Sequence, residues 1–459
     1  MMRTGRSRWP RALPLMLLAG VLGAPGDAAA GGMMLPVRGV RTVERAGALI
    51  AGADDADALW LDPAGLAHLA GDGKSQLLFD VSYVAQYVDY ARIDSGGNTM
   101  ASVSNQQPGQ PIPTVAAVLG IGDRLVIAGG IAAPYAGLHR YADDGPQRYA
   151  SVGLQGSAFV YATLGIAYRV SDRLRVGATV MDVVSKVTSR VVMSGCPGQT
   201  VCAPEDPDFD ALSQDTQTDY FAPSGSIGIQ YDIARNATLG LALQAPSRVS
   251  ATGTFATQLP KSAFFEGARV VGDQSDLSFT LPAAIRAGVE LRPAPAWRIE
   301  AALDAELWSM HDEIDLQPHD VRIENAAGVG SYEVGKLVIP RKYKNSYAPA
   351  LGVEWHGRKV MLGAGYSYET AAAPRGYVSV LTVDAAKHLL GFGGGYEADG
   401  WQIGGSVGVA LLASVDVPMA DAKIPQLTPI RDQPGAVMVN AGSYKSRYLL
   451  AGVRVARSF

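Results

Sequence analysis

The sequence predicts an all-β protein, a transmembrane antiparallel β-barrel of about fourteen strands with an N-terminal hatch inside its lumen. Three observations lead there. From Ser75 onward the chain alternates with period two. Its connections alternate between short and long. It begins with a secretory leader and ends on an amphipathic strand closed by Phe459. Long strands with one apolar face and one polar or glycine face suit a barrel with lipid outside and polar packing inside. A soluble sandwich would use shorter strands.

Residues 1–30 come first. Arg3, Arg6, Arg8 and Arg11 form a positive start, Ala12 to Ala24 is apolar, and Ala28-Ala29-Ala30 offers a cleavage site. These are the parts of a secretory signal peptide, too short for a membrane span. Removing them takes away four arginines and Asp27, so the net charge moves from −4 to −7. A mildly acidic exported chain with no basic run has no footprint for nucleic acid. No later stretch is long and apolar enough to be a transmembrane helix.

Residues 31–74 do not alternate and are expected to form the hatch. The stretch ADDADALWLDPAGLA, from Ala53 to Ala67, carries four aspartates and no lysine or arginine. A barrel of about fourteen strands is wide enough to need a plug or to hold a channel.

Residues 75–459 are the barrel. The clearest strand is Trp297 to Leu307, with Trp297, Ile299, Ala301, Leu303 and Ala305 on one face and Arg298, Glu300, Asp304 and Glu306 on the other. Leu281, Ala283, Ile285, Ala287, Val289 and Leu291 likewise oppose Arg286, Gly288, Glu290 and Arg292. Strands are expected near 76–91, 112–121, 124–133, 156–170, 173–193, 218–232, 236–253, 277–292, 296–315, 346–356, 358–370, 386–397, 400–415 and 443–459. The short turns between them are Gly122-Asp123, Ser171-Asp172, Ala234-Arg235, Pro293-Ala294-Pro295, Gly357 and Ala398-Asp399-Gly400. The long connections cover 92–111, 134–155, 194–217, 254–276, 316–345, 371–385 and 416–442. Short periplasmic turns and longer extracellular loops are the outer-membrane pattern. A terminal aromatic on the last strand resembles the signal read by the outer-membrane assembly machinery.

Cys196 and Cys202 lie in one polar loop, where an exported protein forms a small-loop disulfide; two free thiols are the alternative. No histidine spacing calls for a metal, and no motif calls for a cofactor. Gly404-Gly405-Ser406-Val407-Gly408 fits a nucleophile elbow in letters but lies mid-strand, so no enzyme is expected. Arg286, Arg292 and Arg298 face inward from adjacent strands. They are expected to pair either with the hatch acids Asp54, Asp55, Asp57 and Asp62 or with Glu290 and Glu300 of the wall.

Several blocks resemble one family. Gly32-Met33-Met34-Leu35-Pro36, Arg45-Ala46-Gly47-Ala48, Ala53-Asp54-Asp55-Ala56 and Asp62-Pro63-Ala64-Gly65-Leu66 resemble the mature N-terminus of the FadL/TodX family of outer-membrane transporters for long-chain fatty acids and other hydrophobic compounds. The family's hatch motif is Asn-Pro-Ala; here Asp62 replaces the asparagine. Ala133-Pro134-Tyr135, Leu281 to Gly288, Trp308-Ser309, Gly363 to Tyr368 and Pro374 resemble later blocks. The resemblance implies a monomeric barrel in the outer membrane among lipid and lipopolysaccharide. It implies capture of a hydrophobic small molecule, hatch movement and lateral escape through a kink in the third strand. Gly129, Gly130 and Pro134 are the kink candidates, an ordinary strand end being the alternative. A structural or adhesive barrel without transport is the competing function. A fatty acid would favour a cation at its pocket, and Lys261, Lys342 and Lys344 lie in or beside loops.

Overall fold

The computed structural model describes residues 39–71, 73–196, 201–203, 205–327, 330–428 and 437–459. The expected leader lies outside the described residues. Fourteen wall strands, each antiparallel to its neighbours, close into one barrel. They are β1 Ser75–Arg92, β2 Gln110–Ile121, β3 Leu125–Ala136, β4 Ala158–Arg169 and β5 Leu174–Ser194. Five strands follow in two pieces each. They are β6 (Asp210–Asp219, Pro223–Ala234), β7 (Ala237–Gln244, Ser247–Gln258), β8 (Gln274–Leu281, Ala284–Ala294), β9 (Trp297–Glu306, Glu313–His319) and β10 (Leu337–Pro340, Ser346–His356). The wall ends with β11 Val360–Glu369, β12 Lys387–Ala398, β13 Trp401–Leu412 and β14 Gly442–Ser458. β14 pairs with β1 from Gln76↔Ser458 to Arg92↔Gly442, so no edge is left open. A small sheet of Arg269–Val271, Arg322–Ala326 and Gly330–Glu333 sits among the long connections.

The outer surface carries the signature of a bilayer. Leu164, Val180, Ile227, Phe392 and Val453 point outward and are exposed. Near the short turns Tyr168, Tyr231, Trp297, Tyr396 and Trp401 form an aromatic girdle. A second set, including Tyr83, Tyr87, Tyr347 and Tyr366, lies nearer the long loops. On β10, Tyr347 and Trp355 mark both levels. At about 3.4 Å per residue and a tilt of about 40°, that separation is roughly 20 Å, close to the apolar band of an outer-membrane barrel.

Four of the five interruptions, all but that of β9, change which residues face inward. On β6 the buried positions are Ser213, Asp215, Gln217 and Asp219 before the break and Ser226 and Gln230 after it. On β8 they are Leu277, Phe279 and Leu281, then Ala284, Arg286 and Glu290. Leu281 therefore faces the lumen rather than joining the outward row of Ile285, Val289 and Leu291, because Pro282 and Ala283 interrupt the ladder and flip its parity. Strand structure also reaches beyond the expected limits: β6 begins at Asp210, within a stretch expected to be loop.

Gly39 to Ala70 fills the lumen at the short-turn end. It contains α1 (Val40–Glu44) and two 3₁₀ turns, Ala56–Leu59 and Pro63–Leu69. The Asp55 carboxylate accepts from the Asp57 N–H (3.0 Å) and so caps the first turn. Asp62 caps the second through the Ala64 N–H (3.0 Å), with Pro63 at its first position. Leu49, Leu59, Trp60 and Leu66 are buried against Leu78, Val118, Val126 and Ala167 of the wall. Glycines admit this close approach. A Cβ at Gly228 would overlap the Asp62 carboxylate, and one at Gly391 would overlap the Val43 carbonyl.

Candidate functional site

Three features define the site: an ionic interface between hatch and wall, a break beside β3, and an apolar cavity at the long-loop end.

The ionic interface runs in both directions. Arg298 of β9 reaches Asp54 of the hatch (2.8 Å) and also Glu290 of β8 (3.1 Å), so both expected pairings occur at one residue. Among the described residues Arg292 pairs with Glu290 (2.8 Å) and with no hatch acid. Arg286 stays within the wall, bound to Asp304 (3.0 Å) and Gln244 (3.2 Å). The larger share comes from residues the sequence did not single out. Arg454 of β14 grips Asp57 (2.5 Å) and Asp55 (2.8 Å), with Asp80 at 3.5 Å. Two hatch arginines reach outward: Arg41 to Glu354 (2.8 Å) and Arg45 to Glu300 (3.0 Å). Glu300 also accepts from the backbone N–H groups of Ile50, Ala51 and Gly52 (2.7, 2.9 and 2.9 Å).

The charges do not balance, since seven carboxylates meet five guanidiniums in these contacts. Position decides which acids carry the excess. Burial alone would raise Asp54, but Arg298 and Arg41 outweigh it and hold the carboxyl well below its usual range. Burial raises Asp57, with Asp55 and Asp80 adding and Arg454 opposing. Glu44 is pushed up to about 7 by burial and then by Glu354. Asp62 is fully buried, its Oδ2 has no hydrogen-bond partner among the described residues, and burial drives its carboxyl well upward. A protonated aspartic acid has nearly the shape of asparagine, and both cap a helix turn. Asp62 thus fills an asparagine position at the head of Pro63-Ala64 with no salt bridge among the described residues.

At β3 the ladder to β2 runs from Ile121↔Leu125 to Val115↔Ile131 and then stops. The ladder to β4 continues past it, with a register shift between Ala132 and Tyr135. The irregularity thus spans Ala133 and Pro134. Gly129 and Gly130 are regularly paired on both sides. Gly130 instead makes room for the hatch. A Cβ there would press on the Trp60 ring, whose Nε1 donates to Thr163 (3.0 Å). A small recess of about 10 Å³ beside the break is lined by Gly39, Thr114, Ala132 and Pro134.

The cavity, about 130 Å³, lies at the long-loop end. Tyr135, Phe159, Leu277, Phe279, Leu316 and Val380 are among the residues that line it. Among the described residues no lysine or arginine lines it. Burial pushes the lining His139 down to about 4, so that ring is neutral as well. Lys261 and Lys344 are exposed, and Lys342 pairs with Asp312. Cys196 and Cys202 are disulfide-bonded. Ser406 is paired with Gly393 and Gly452 in mid-strand, away from any strand–turn–helix.

A closed fourteen-stranded barrel with a lumenal plug is the architecture of an outer-membrane protein, and the family it points to consists of transport channels rather than enzymes. The family described as outer membrane protein transport protein (OMPP1/FadL/TodX) matches residues 21–452, and the chain belongs to it. Solved structures agree in fold. A Pseudomonas aeruginosa FadL homologue is 16% identical with a TM-score of 0.76, covering 93% of this chain and 99% of its own. The Pseudomonas putida toluene transporter TodX is 15% identical (TM-score 0.63; 91% and 99% covered). The Ralstonia pickettii toluene transporter TbuX is also 15% identical (TM-score 0.60; 92% and 100% covered). No curated protein sequence matches the chain.

Proposed function

We propose that this chain carries neutral hydrophobic small molecules passively across the outer membrane, by capture in the cavity, movement of the hatch and lateral release between β2 and β3. One observation carries the reading: a largely apolar cavity shares β3 with the break in the wall, through Tyr135 on one side and Pro134 on the other. A single aromatic ring buries about 200 Å², worth about 5 kcal/mol at ~25 cal/mol per Å². That corresponds to a dissociation constant in the sub-millimolar range. Such binding concentrates a ligand and still lets it leave, and passive flow needs nothing more. The absence of a lysine or arginine among the described lining residues favours hydrocarbons over fatty-acid anions.

Ladder register supplies the test. Thr114 and Ala132 would be the next facing pair beyond Val115↔Ile131, and both point inward. In a Cys196→Ser/Cys202→Ser background, a Thr114→Cys/Ala132→Cys pair would staple the break shut. Uptake of labelled toluene by cells is expected to stop on oxidation and return on reduction. Uptake that continues through the stapled wall would refute lateral release. Uptake equal to that of cells lacking the protein would leave a structural or adhesive barrel.

A further inference from the structure

Among the polar residues that line the cavity, Asp215 and Gln217 stand together and present acceptor oxygens. β5 and β6 contribute Ser189, Asp215 and Gln217, with Ser189 facing Asp215 in the ladder. Asp215 and Gln217 are buried although both line the cavity. The Gln217 Nε2 donates to Ser275 Oγ (2.8 Å) and to the Thr254 carbonyl (3.4 Å), which fixes the amide's orientation. Its Oε1 is left as an acceptor with no hydrogen-bond partner among the described residues. Asp215 accepts from the Ser213 hydroxyl (3.2 Å) and has no ion-pair partner among them. A buried acceptor without a donor costs free energy until something donates to it.

We propose that the cavity selects small apolar compounds carrying one hydroxyl group, such as an alkylphenol, with Asp215 and Gln217 as the residues that read the hydroxyl. This rests on the uptake reading and narrows its ligand. A hydrocarbon fills the space but leaves Gln217 Oε1 unmet. A carboxylate brings its charge against Asp215 and Gln217 Oε1, with no lysine or arginine among the described lining residues to compensate. A phenol donates its O–H to these acceptors and lays its ring against Phe159, Leu277 and Phe279. The volume agrees with one ring, because an apolar cavity of about 150 Å³ holds benzene. One polar contact inside a largely apolar pocket is the usual way such pockets fix orientation and choose among ligands of equal size.

The test compares p-cresol with p-xylene, which differ by a hydroxyl in place of a methyl, and with p-toluate. Binding of each radiolabelled compound to the full barrel in nanodiscs is measured against empty nanodiscs. p-Cresol is expected to bind about threefold tighter than p-xylene, the gain of one net hydrogen bond less the lost burial of a methyl group, and p-toluate weakest. Gln217→Met and Asp215→Leu should bring the cresol-to-xylene ratio towards one without weakening p-xylene, while Asp215→Asn, which keeps an acceptor, should retain the preference. Equal binding of cresol and xylene to the wild type overturns the proposal, as does tightest binding of p-toluate. A preference that survives both acceptor removals overturns it too. If a variant loses its heat-modifiable gel shift and so its barrel, the wild-type ratio decides. Equal binding would leave the uptake reading standing, whereas binding of neither cresol nor xylene would remove both.

Discussion

Arg454 is the residue whose loss should most weaken the closure of the lumen. It is buried on β14 and is the described cation nearest to both Asp57 and Asp55, at 2.5 and 2.8 Å, with Asp80 behind them. Arg454→Met keeps much of the side-chain volume and removes the charge. Breaking a buried pair from one side costs about 3–5 kcal/mol, because the partner charges stay buried. Asp57 relieves part of this, since burial already biases it towards the neutral form, so the lower end applies. About 3 kcal/mol multiplies the population of undocked hatch by roughly 150. Single-channel recording in planar bilayers reads this as frequent openings in place of rare ones. Heat-modifiable gel migration checks that the barrel is intact. Arg286→Gln is the control, because Arg286 contacts Asp304 and Gln244 rather than the hatch. Unchanged conductance in Arg454→Met, or an equal rise in Arg286→Gln, would refute the assignment of the latch to β14.

Other expectations follow from the same interface. The Glu44 carboxyl has a folded-state value near 7 against an ordinary 4.5, so its own contribution to hatch docking is fully present below about pH 4.5, and about 3 kcal/mol of it is lost as pH rises through 7. Glu44→Gln should flatten that part of the conductance–pH curve, and an unchanged curve would count against Glu44 as its source. Asp54 acts oppositely: held low by Arg298 and Arg41, it contributes docking stability above its ordinary value that is lost as pH falls below it. Asp54→Asn should therefore raise channel opening at pH 7 and matter less in acid. Asp62→Asn should change hatch docking by no more than a few tenths of a kcal/mol at pH 5, since Asp and Asn cap alike. Gly391→Val should expel α1 through overlap with the Val43 carbonyl, seen as protease sensitivity near Val43 in an intact barrel.

Much of the barrel was legible because lipid imposes a rule with few exceptions. Where Ile285, Val289 and Leu291 face the bilayer, the apolar row is continuous and the strand can be read by eye. The rule fails above the membrane. Between Asp210 and Asp219 the outside also meets water, so Gln214, Thr216 and Thr218 alternate with Ser213, Asp215 and Gln217 and no apolar row appears. That stretch reads as loop, and with it the two acceptors of the cavity escape notice. The interruptions hide Leu281 in the same way. Pro246 and Pro282 are the signals that could locate two of them, since proline cannot donate to a central ladder.

The hatch charges show a different limit. The acidic residues at 53–67 call for arginines, and the three that the sequence brings forward lie on the most regular strands. Arg454 is as visible, a lone cation between Val453 and Val455 on an alternating strand. On such a strand a charge whose neighbours both face lipid must itself face the lumen, and a buried lumenal charge must find a partner. Arg41 and Arg45 obey the same logic from the other side, four residues apart on one helical turn and meeting Glu354 and Glu300. The plug and the wall therefore carry both signs, so sliding the hatch in either direction separates ion pairs. A hatch held only by its own acids could be released by neutralising them. This one keeps the Arg41 and Arg45 contacts after Asp54, Asp55 and Asp57 are neutralised, so a triple Asp→Asn variant should open less often than Arg454→Met combined with Glu354→Gln.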